Sequence, residues 1–437
     1  MRDYFESLCE TLNTAIQGQE IWLAGLEAEN TRFCRFNHGK MRQQGTIDQT
    51  QLTLTLANGQ KHSSHQLMLK KNHADDKKRL KAAIKDLRNR LKSVPDDPLF
   101  LLNEQIQHTE QLASHEPIDV MAISQAVTGS CLKDDFVGIL LGGEQWSGFA
   151  NSLGQRNWFE AKDYTLDYSL YLHTDKAVKD RLAGTQWQQE SFLARLEQQR
   201  THLALLAAPP LTLKPDHYRA YLTPTALKEI INLMSFSACG VQDKSSPLRR
   251  LHDKELNLHP MINITMDLQS GYAPRFQEEG FVMPENLPLL NGGMSENLLI
   301  SPRTEKEYGI PHNGAPTMEQ VDSLALDSGN LPQSQVLQSL EDGLFISNLW
   351  YLNWSDANSA RITGMTRFAC FLVENGQLKA PITALRFDDS LYQMLGENLE
   401  ALTREQEVLM DNDSYFRRSR GAKTLPGALL KSMRFTL

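Results

Sequence analysis

Long hydrophobic runs are missing from this sequence, and no apolar stretch approaches the ~18 residues that a membrane-spanning helix needs. The first residues, MRDYFESLCETLNTAI, carry acids among their apolar positions and lack a continuous hydrophobic segment, so we expect no signal peptide. The five cysteines lie far apart and form no Cys-x-x-Cys pair, a pattern typical of free thiols in a reducing compartment. We therefore expect a cytoplasmic protein that no disulfide framework stabilises.

Short catalytic motifs are absent as well. The chain contains no Gly-x-Ser-x-Gly, no P-loop and no Gly-x-Gly-x-x-Gly opening a helix. Its only His-Glu dipeptide is His115-Glu116, and Pro117 follows at once, so the sequence excludes a zincin-type helix with two histidines on one face. A Ser-His-Asp triad stays open, because its members need not be neighbours in sequence.

The charge balance argues against nucleic acid and anionic membranes as partners. The 437 residues carry a formal net charge of −8, and 41% of them are hydrophobic, which is an ordinary globular composition with room for two or more domains. One segment, residues 70–92, holds ten Lys/Arg against three Asp. It lacks interleaved aromatic residues for base stacking, so we interpret it as a helix with a solvated basic face.

Periodicity predicts a mixture of helices and strands. Apolar spacing predicts strands within 20–69 and 136–172, and helices at these ranges: 3–17, 75–92, 99–114, 175–207, 225–236 and 389–402. The fold class is therefore α+β. We place a helix/strand domain with a mixed sheet at residues 1–208 and a mostly antiparallel, sandwich- or barrel-like β domain at 209–437, since prolines cluster at 209–215.

A β-hairpin is predicted near the C-terminus. Two strand-like segments, 366–373 and 378–387, flank Glu374-Asn375-Gly376-Gln377, and Asn-Gly tolerates the positive φ of both turn positions. Both faces of the first segment are apolar, which predicts a strand inside a core.

Other polar or glycine-rich features have ordinary interpretations. The pairs Glu29-Asn30, Gly142-Gly143 and Gly292-Gly293 are interpreted as turns. The cluster Arg417-Arg418-Ser419-Arg420 is interpreted as a surface loop, with a salt bridge to a partner as the alternative. His62 and His65 point to opposite faces of a strand and are interpreted as solvated, not as metal ligands.

Four stretches follow one another in a recognisable order. They are NTRFCRFN at 30–37, ANSLG at 150–154, YLTPTA at 221–226 followed by SSPL at 245–248, and the segment 343–387, which contains the hairpin. Their order and spacing resemble the TldD/PmbA family of peptidase-related proteins, and the resemblance extends over nearly the whole chain.

The resemblance implies a role without a metal site. TldD-like subunits of the family carry His-Glu-x-x-x-His on the helix after the third stretch, whereas TldE/PmbA-like subunits lack it and pair with a TldD-like partner. Here that helix reads LKEIINL, with Glu229 at the general-base position and Lys228 and Leu233 at the histidine positions. An ammonium group and an alkyl chain cannot hold zinc. The resemblance therefore implies no catalytic and no metal-binding residue in this chain, with zinc expected in the partner.

It also implies a substrate and a partner. A closed chamber formed with a TldD-like, metal-bearing subunit would admit extended or unfolded peptides, which bind by backbone hydrogen bonds as added strands. The family's cleft loop resembles residues 303–315, which gives Arg303, Tyr308, His312 and Asn313 as peptide or interface contacts, with a plain surface loop as the alternative. Two other functions stay open: a stand-alone hydrolase with a metal-independent site, and a binding or regulatory protein of a nucleic-acid enzyme.

Overall fold

Two large β-sheets carry most of the chain in the computed structural model, which describes residues 1–173 and 176–436. Within these ranges the first sheet has seven strands between residues 21 and 184, and the second has thirteen between 216 and 435. Helices pack against both sheets, which confirms the α+β class. The predicted division at 208/209 falls in the connection between the sheets, and the division itself stays a prediction.

The first sheet is mixed, as predicted. Its strands are β1 (Ile21–Asn37), β2 (Lys40–Asn58), β3 (Lys61–Met68), β4 (His108–Gln111), β5 (Asp135–Asn151), β6 (Arg156–His173) and β7 (Lys176–Gly184). Their order is β3-β2-β1-β5-β6-β4, with β7 also paired to β6. Only β4 runs parallel to its neighbour among these described pairs.

The second sheet is largely antiparallel, with parallel pairings of β12 to β20 and of β13 to β8. Its strands are β8 (Asp216–Leu222), β9 (Ile264–Asp267), β10 (Asn286–Asn291), β11 (Met294–Ser295), β12 (Leu324–Leu326), β13 (Gly343–Ile346), β14 (Asn348–Asp356), β15 (Arg361–Arg367), β16 (Phe371–Glu374), β17 (Gln377–Pro381), β18 (Arg386–Ser390), β19 (Leu399–Leu409) and β20 (Lys423–Phe435). The long strand β20 contacts β8, β12, β18 and β19, so it organises this sheet.

The helices are short in the second half of the chain. They are α1 (Arg2–Asn13), α2 (His73–Leu91), α3 (Val120–Ser130), α4 (Gln189–Leu205), α5 (Pro224–Ile231), α6 (Ala238–Gln242), α7 (Arg249–His252), α8 (Pro302–Tyr308) and α9 (Val336–Leu340). Helix α2 buries the predicted stripe of Leu80, Ala83, Ile84, Leu87 and Leu91. In the described residues, no helix is both long and apolar enough to cross a membrane.

The predicted hairpin turn is confirmed. Asn375 and Gly376 have φ of 52° and 71° between β16 and β17, as a type I′ turn requires. The flanking strands are shorter than predicted, however. Phe368 has φ of 61°, so the chain turns there and residues 366–367 belong to β15 instead of β16.

Three predicted helices were wrong over much of their length. Residues 99–114 form a loop and the short strand β4, and residues 175–207 contain the strand β7 before α4. Residues 389–402 contain the end of β18, a single π-helical turn at Gln393–Glu397 and the start of β19. In each case strand pairing outweighs the local helical pattern, and Gly396 has non-helical angles that interrupt the last predicted helix.

Two predicted turns in the first sheet are wrong for a related reason. Strand β1 continues through Glu29-Asn30, and the chain reverses at His38-Gly39, where both φ angles are positive. Gly142 and Gly143 lie inside β5. A Cβ at Gly143 would come within 2.1 Å of the Asn30 carbonyl oxygen, so glycine is needed there for the close approach of β1, not for a turn. Gly292-Gly293 does form the predicted turn, between β10 and β11.

One hydrophobic cluster is shared by the two sheets. It joins Leu196 of α4 to Phe345 of β13, Phe371 of β16 and Leu429 of β20, all buried. His202 of α4 lies within this cluster, with its ring centroid 5.5 Å from Phe345 and 5.6 Å from Phe371. All five cysteines are free thiols, as predicted, and four of them are buried in the cores.

A buried ion pair also connects the two halves of the chain. Arg418 is 2% exposed, and its Nη1 lies 2.6 Å from the Asp163 carboxylate of β6, which is 1% exposed. The same guanidinium donates to the carbonyls of Asp163 and Gly143. The arginine cluster is therefore not the predicted surface loop. It is a segment that crosses the first sheet and fastens the second half of the chain to it.

We predict that Arg418→Met destabilises the protein by about 3–5 kcal/mol, because Asp163 would keep a buried charge without a partner. Urea unfolding followed by circular dichroism measures this change in the free energy of unfolding. The control is Arg90→Met, which breaks an ion pair with Asp86 on exposed helix surface and should cost about 1 kcal/mol or less. Equal effects of the two substitutions would contradict this role for Arg418.

The burial of His202 should make the stability of the protein depend on pH. Burial lowers the pKa of His202, although the charge of Asp180 opposes this, so the folded state favours the neutral ring. Its contribution to stability is then fully present above the unfolded pKa of about 6.5 and is lost as pH falls below that value. In His202→Leu, the free energy of unfolding should fall less steeply between about pH 7 and pH 5.5 than in the wild type. Parallel slopes in denaturant titrations would refute this.

Candidate functional site

A deep cleft lies between one face of the first sheet and loops of the second half of the chain. Its volume is about 820 Å³, within the range of about 300–1,000 Å³ typical of ligand sites. The floor comes from β1, β2, β3 and β5, and the opposite wall comes from residues 274–283, 316–322 and 413–420. This cleft is the candidate functional site.

The floor follows from strand alternation. Leu23, Gly25 and Glu27 alternate along β1, so all three face the cleft, and Thr53 and Thr55 do the same on β2. Gly25 has no positive φ, and a Cβ built there would meet no atom within 4 Å. Its lack of a side chain therefore leaves open space on the floor, where an extended backbone can approach the sheet closely.

The loop at 276–283 is held against the floor by Gly280. A Cβ at Gly280 would come within 2.1 Å of the Phe149 ring, and its φ is 83°, so no other residue fits here without displacing one side of the cleft. The carbonyl oxygen of Gly280 accepts hydrogen bonds from the side chains of Asn103 and Gln155, both in the first half of the chain.

A buried carboxylate fixes the next loop. Glu319 is buried and accepts from Ser237 Oγ (2.6 Å), the Cys239 amide (2.8 Å), the Ser301 amide (2.8 Å) and Thr304 Oγ1 (2.6 Å). It thereby joins the N-terminal ends of α6 and α8, where backbone N–H groups favour a negative charge. These contacts set the position of the 316–322 wall.

The motif helix α5 lies beside this region. Its N-cap is Thr223, whose side chain accepts from the Ala226 amide, and Pro224 occupies the first turn. Lys228 lies on the buried stripe with its side chain only 3% exposed, and its ammonium forms an ion pair with Asp411. Asp411 also lies 3.7 Å from Arg181 of β7. Lys228 is thus a buried cation in an ion-pair network.

The pKa shifts of Asp411 and Glu229 are consistent with this network of ion pairs. Burial raises the pKa of Asp411, but the Lys228 charge and hydrogen bond outweigh it and hold the pKa below its usual value. Glu229 has a raised pKa, because burial disfavours its charge more than Lys228 favours it. The carboxylate at the general-base position is therefore a poorly solvated group next to a lysine.

The residues present do not fit a zinc ion. Zinc needs imidazole, thiolate or carboxylate donors, whereas Lys228 is engaged with Asp411 and Leu233 packs against the core of the second sheet. Cys370 is buried, its Sγ donates to the Arg367 carbonyl, and burial raises the pKa of the thiol. Across residues 1–173 and 176–436, no three His, Cys, Asp or Glu side chains are grouped to hold a metal ion.

The four predicted contact residues lie on and after α8. Arg303 lines the cleft and pairs with Glu307 at 2.7 Å, whereas Tyr308 is exposed outside it. His312 accepts from the Gly314 amide, and Asn313 bonds the backbone of Leu298 and Ile300. His312 and Asn313 thus shape their own loop, and a peptide or interface role for the four stays a prediction.

Comparison with known families decides the assignment. The model of the PmbA/TldA metallopeptidase C-terminal domain matches residues 215–437, just over half of the chain. The chain belongs to the TldD/PmbA family. A search of curated protein sequences found no match.

Solved structures of similar fold extend this result over the whole chain. TldE from Thermococcus kodakarensis has a TM-score of 0.78 at 13% identity, with 99% of this chain and 100% of that one covered. A provisionally assigned modulator of a DNA gyrase from Thermotoga maritima has a TM-score of 0.75 at 14% sequence identity, with both chains fully covered. Another such modulator, from Bacteroides thetaiotaomicron, has a TM-score of 0.72 at 15% sequence identity, with 99% of this chain and 98% of that one covered. At these identities the likeness shows the fold.

Sequence reasoning missed most of the cleft of this TldD/PmbA family member. The run Gln277-Glu278-Glu279-Gly280 is a polar stretch ending in glycine, so a turn could have been predicted. Its placement against β1 and β5 depends on contacts between residues far apart in sequence. The burial of Lys228 could have been predicted from one feature of the sequence. Lys228 falls on the apolar face of a short helix, between Leu227 and Ile231.

We predict an asymmetry in the Lys228–Asp411 pair. Asp411→Asn should cost about 3 kcal/mol of stability, because it leaves a buried ammonium without its partner. Lys228→Met should cost about 1 kcal/mol or less, since the Asp411 side chain is 50% exposed and can be hydrated. Guanidinium unfolding measures both values, with the exposed Asp253→Asn as control. The reverse order would refute the buried state of Lys228.

Proposed function

We propose that this chain is the non-catalytic subunit of a heterodimeric TldD/TldE-type zinc metallopeptidase in the cytoplasm. It would form part of a closed chamber that degrades or matures extended or unfolded peptides. The metal-bearing, TldD-like partner would hold the zinc, polarise the scissile carbonyl and activate water. This chain would supply the chamber wall, the partner interface and contacts to the peptide.

One observation carries the proposal. The position that a TldD-like chain gives to a zinc-binding histidine holds Lys228 here, buried and paired with Asp411. The same Asp411 carboxylate lies 3.7 Å from Arg181, so Lys228 shares its acidic partner with a second cation. A buried ammonium at this position supports a chain that binds no zinc at α5. The likeness in fold to TldE from Thermococcus kodakarensis supports the same role.

We expect the purified chain to hold no stoichiometric zinc and to have peptidase activity only together with a TldD-like subunit. Metal analysis of the chain, alone and after incubation with zinc, measures the first point. Cleavage of an unstructured peptide by each subunit and by the mixture measures the second. One tightly held zinc per chain, or cleavage by this chain alone, would overturn the proposal.

Substitution of Glu229 distinguishes this proposal from the alternative of a stand-alone hydrolase. Because Glu229 is a half-buried group beside Lys228 with no catalytic role in this proposal, Glu229→Gln should leave the peptidase activity of the mixed subunits within about twofold. This corresponds to less than about 0.5 kcal/mol in the barrier. The equivalent glutamate of the partner serves as the positive control. If Glu229→Gln abolished an activity of this chain by itself, the stand-alone hydrolase would be correct.

A second candidate is a regulator of a nucleic-acid enzyme. Two of the similar structures are described as provisional modulators of DNA gyrase, and Lys78, Lys81 and Lys85 form an exposed basic face on α2. Salt-sensitive DNA binding that disappears in the triple Lys→Gln variant of these residues would favour it. The absence of binding at low salt would exclude it.

A further inference from the structure

The cationic groups of the cleft already have partners. Arg417 and Arg420 pair with Glu27, and Arg418 pairs with Asp163 beneath the floor. At the other side, His62 pairs with Asp97 and Arg303 with Glu307. Each described basic side chain that lines the cleft therefore has an acidic partner within the protein, with Arg417 and Arg420 sharing Glu27.

The acids are not all neutralised. Glu278, Glu279, Asp322 and Asp413 line the same cleft and form no ion pair with a described residue, but the charges of Arg420, Lys423 and Arg417 act on Asp322. The acids without a cationic neighbour of this kind are Glu278, Glu279 and Asp413. Burial, and then the neighbouring Glu278 charge, raise the pKa of Glu279, the direction expected for a carboxylate without a cationic partner. An excess of negative charge in a concave site with low-dielectric walls attracts cations.

One buried amide at the cleft has a donor without an acceptor. Gln277 lines the cleft and is only 7% exposed. Its Oε1 accepts from the Glu279 amide, which fixes the orientation of the side chain, and its Nε2 has no hydrogen-bond partner among the described residues. A buried donor without an acceptor costs about 1–3 kcal/mol, so a ligand carbonyl at this position would be stabilising.

The shape and the aromatic side chains favour a peptide over a small cation. Gly25 leaves room for a backbone on the floor, and Phe100, Phe149 and Phe276 line the walls. Tyr415 and Phe416 stack edge to face on the rim at 4.6 Å and are strongly exposed. Exposed aromatic faces beside carboxylates bind ammonium and guanidinium groups by cation–π attraction.

We propose that this cleft binds an extended, cationic peptide segment, with its Lys or Arg side chains at Glu278, Glu279 and Asp413 and a backbone carbonyl at Gln277. The proposal rests on the proposed peptidase-subunit function and adds the charge of the substrate. It concerns binding by this chain alone, so it can fail while the subunit function stands, and the reverse is also possible.

The test is fluorescence anisotropy with the full-length chain and three labelled, unstructured peptides. The peptides are rich in Lys-Ala, Glu-Ala or Ser-Gly. Each has about ten residues, which is long enough to span the cleft when the peptide is extended. We expect the Lys-Ala peptide to bind at least about tenfold more tightly than either of the others at low salt. Raising the salt from about 50 to about 500 mM should remove most of that preference, since exposed charges are screened. Equal affinity for the three peptides, or a preference for the Glu-Ala peptide, would overturn the proposal without any variant.

Matched variants locate the binding. Glu278→Gln/Glu279→Gln should weaken Lys-Ala binding at least about fivefold, or about 1 kcal/mol. The control Glu296→Gln/Glu374→Gln removes the same charge from exposed positions outside the cleft and should have no effect.

Gly25→Leu should block binding by filling the floor of the cleft. Gly129 is an equally open glycine on α3, so Gly129→Leu should not affect binding. Thermal unfolding confirms that each variant is folded. Equal effects of cleft and control variants would refute this site.

The outcome of the peptidase assay is independent. Cleavage by the mixed subunits with no charge preference in binding would retain the subunit function and reject the cationic specificity. Binding of the Lys-Ala peptide without any cleavage in the mixture would retain the cleft's specificity and reject the subunit function.

Discussion

The buried ion pair between Arg418 and Asp163 is the contact on which the rest of the arrangement depends. It joins a segment of the second half of the chain to the middle of the first sheet, at a site from which water is almost excluded. A charge pair in such a place contributes less to net stability than it does to specificity, because each charge tolerates no other partner. The cleft exists because this segment crosses the sheet at one fixed position, with Arg420 and Arg417 on Glu27 beside it.

Helix α5 shows how a buried charge is kept in the core of the second sheet. Here its inward positions carry a lysine and, after the helix ends, a leucine. A lysine without a partner could not stay buried, and Asp411 provides that partner. Arg181 of β7 lies 3.7 Å from the same carboxylate, so Asp411 connects α5 to β7 by charge.

The cleft shows how charge can be distributed within one concave surface. Its basic groups are used to hold the two halves of the chain together, and this leaves several carboxylates on the opposite wall without partners. Glu319 is a different case, because its charge is satisfied by the N–H groups and hydroxyls at two helix ends. The two kinds of acid lie close in sequence but have different environments.

The sequence by itself determined the class of fold, the hairpin turn at Asn375-Gly376 and the buried stripe of α2, because each depends on local periodicity or turn chemistry. It could not determine that β4 and β7 replace predicted helical segments, because both strands are fixed by hydrogen bonds to β6 and not by their own apolar spacing. It also misplaced the arginine cluster. Only the tertiary structure could bury Arg418 against Asp163 and bring Gln277 and Glu279 opposite Gly25, since burial and proximity are decided by how the two sheets pack.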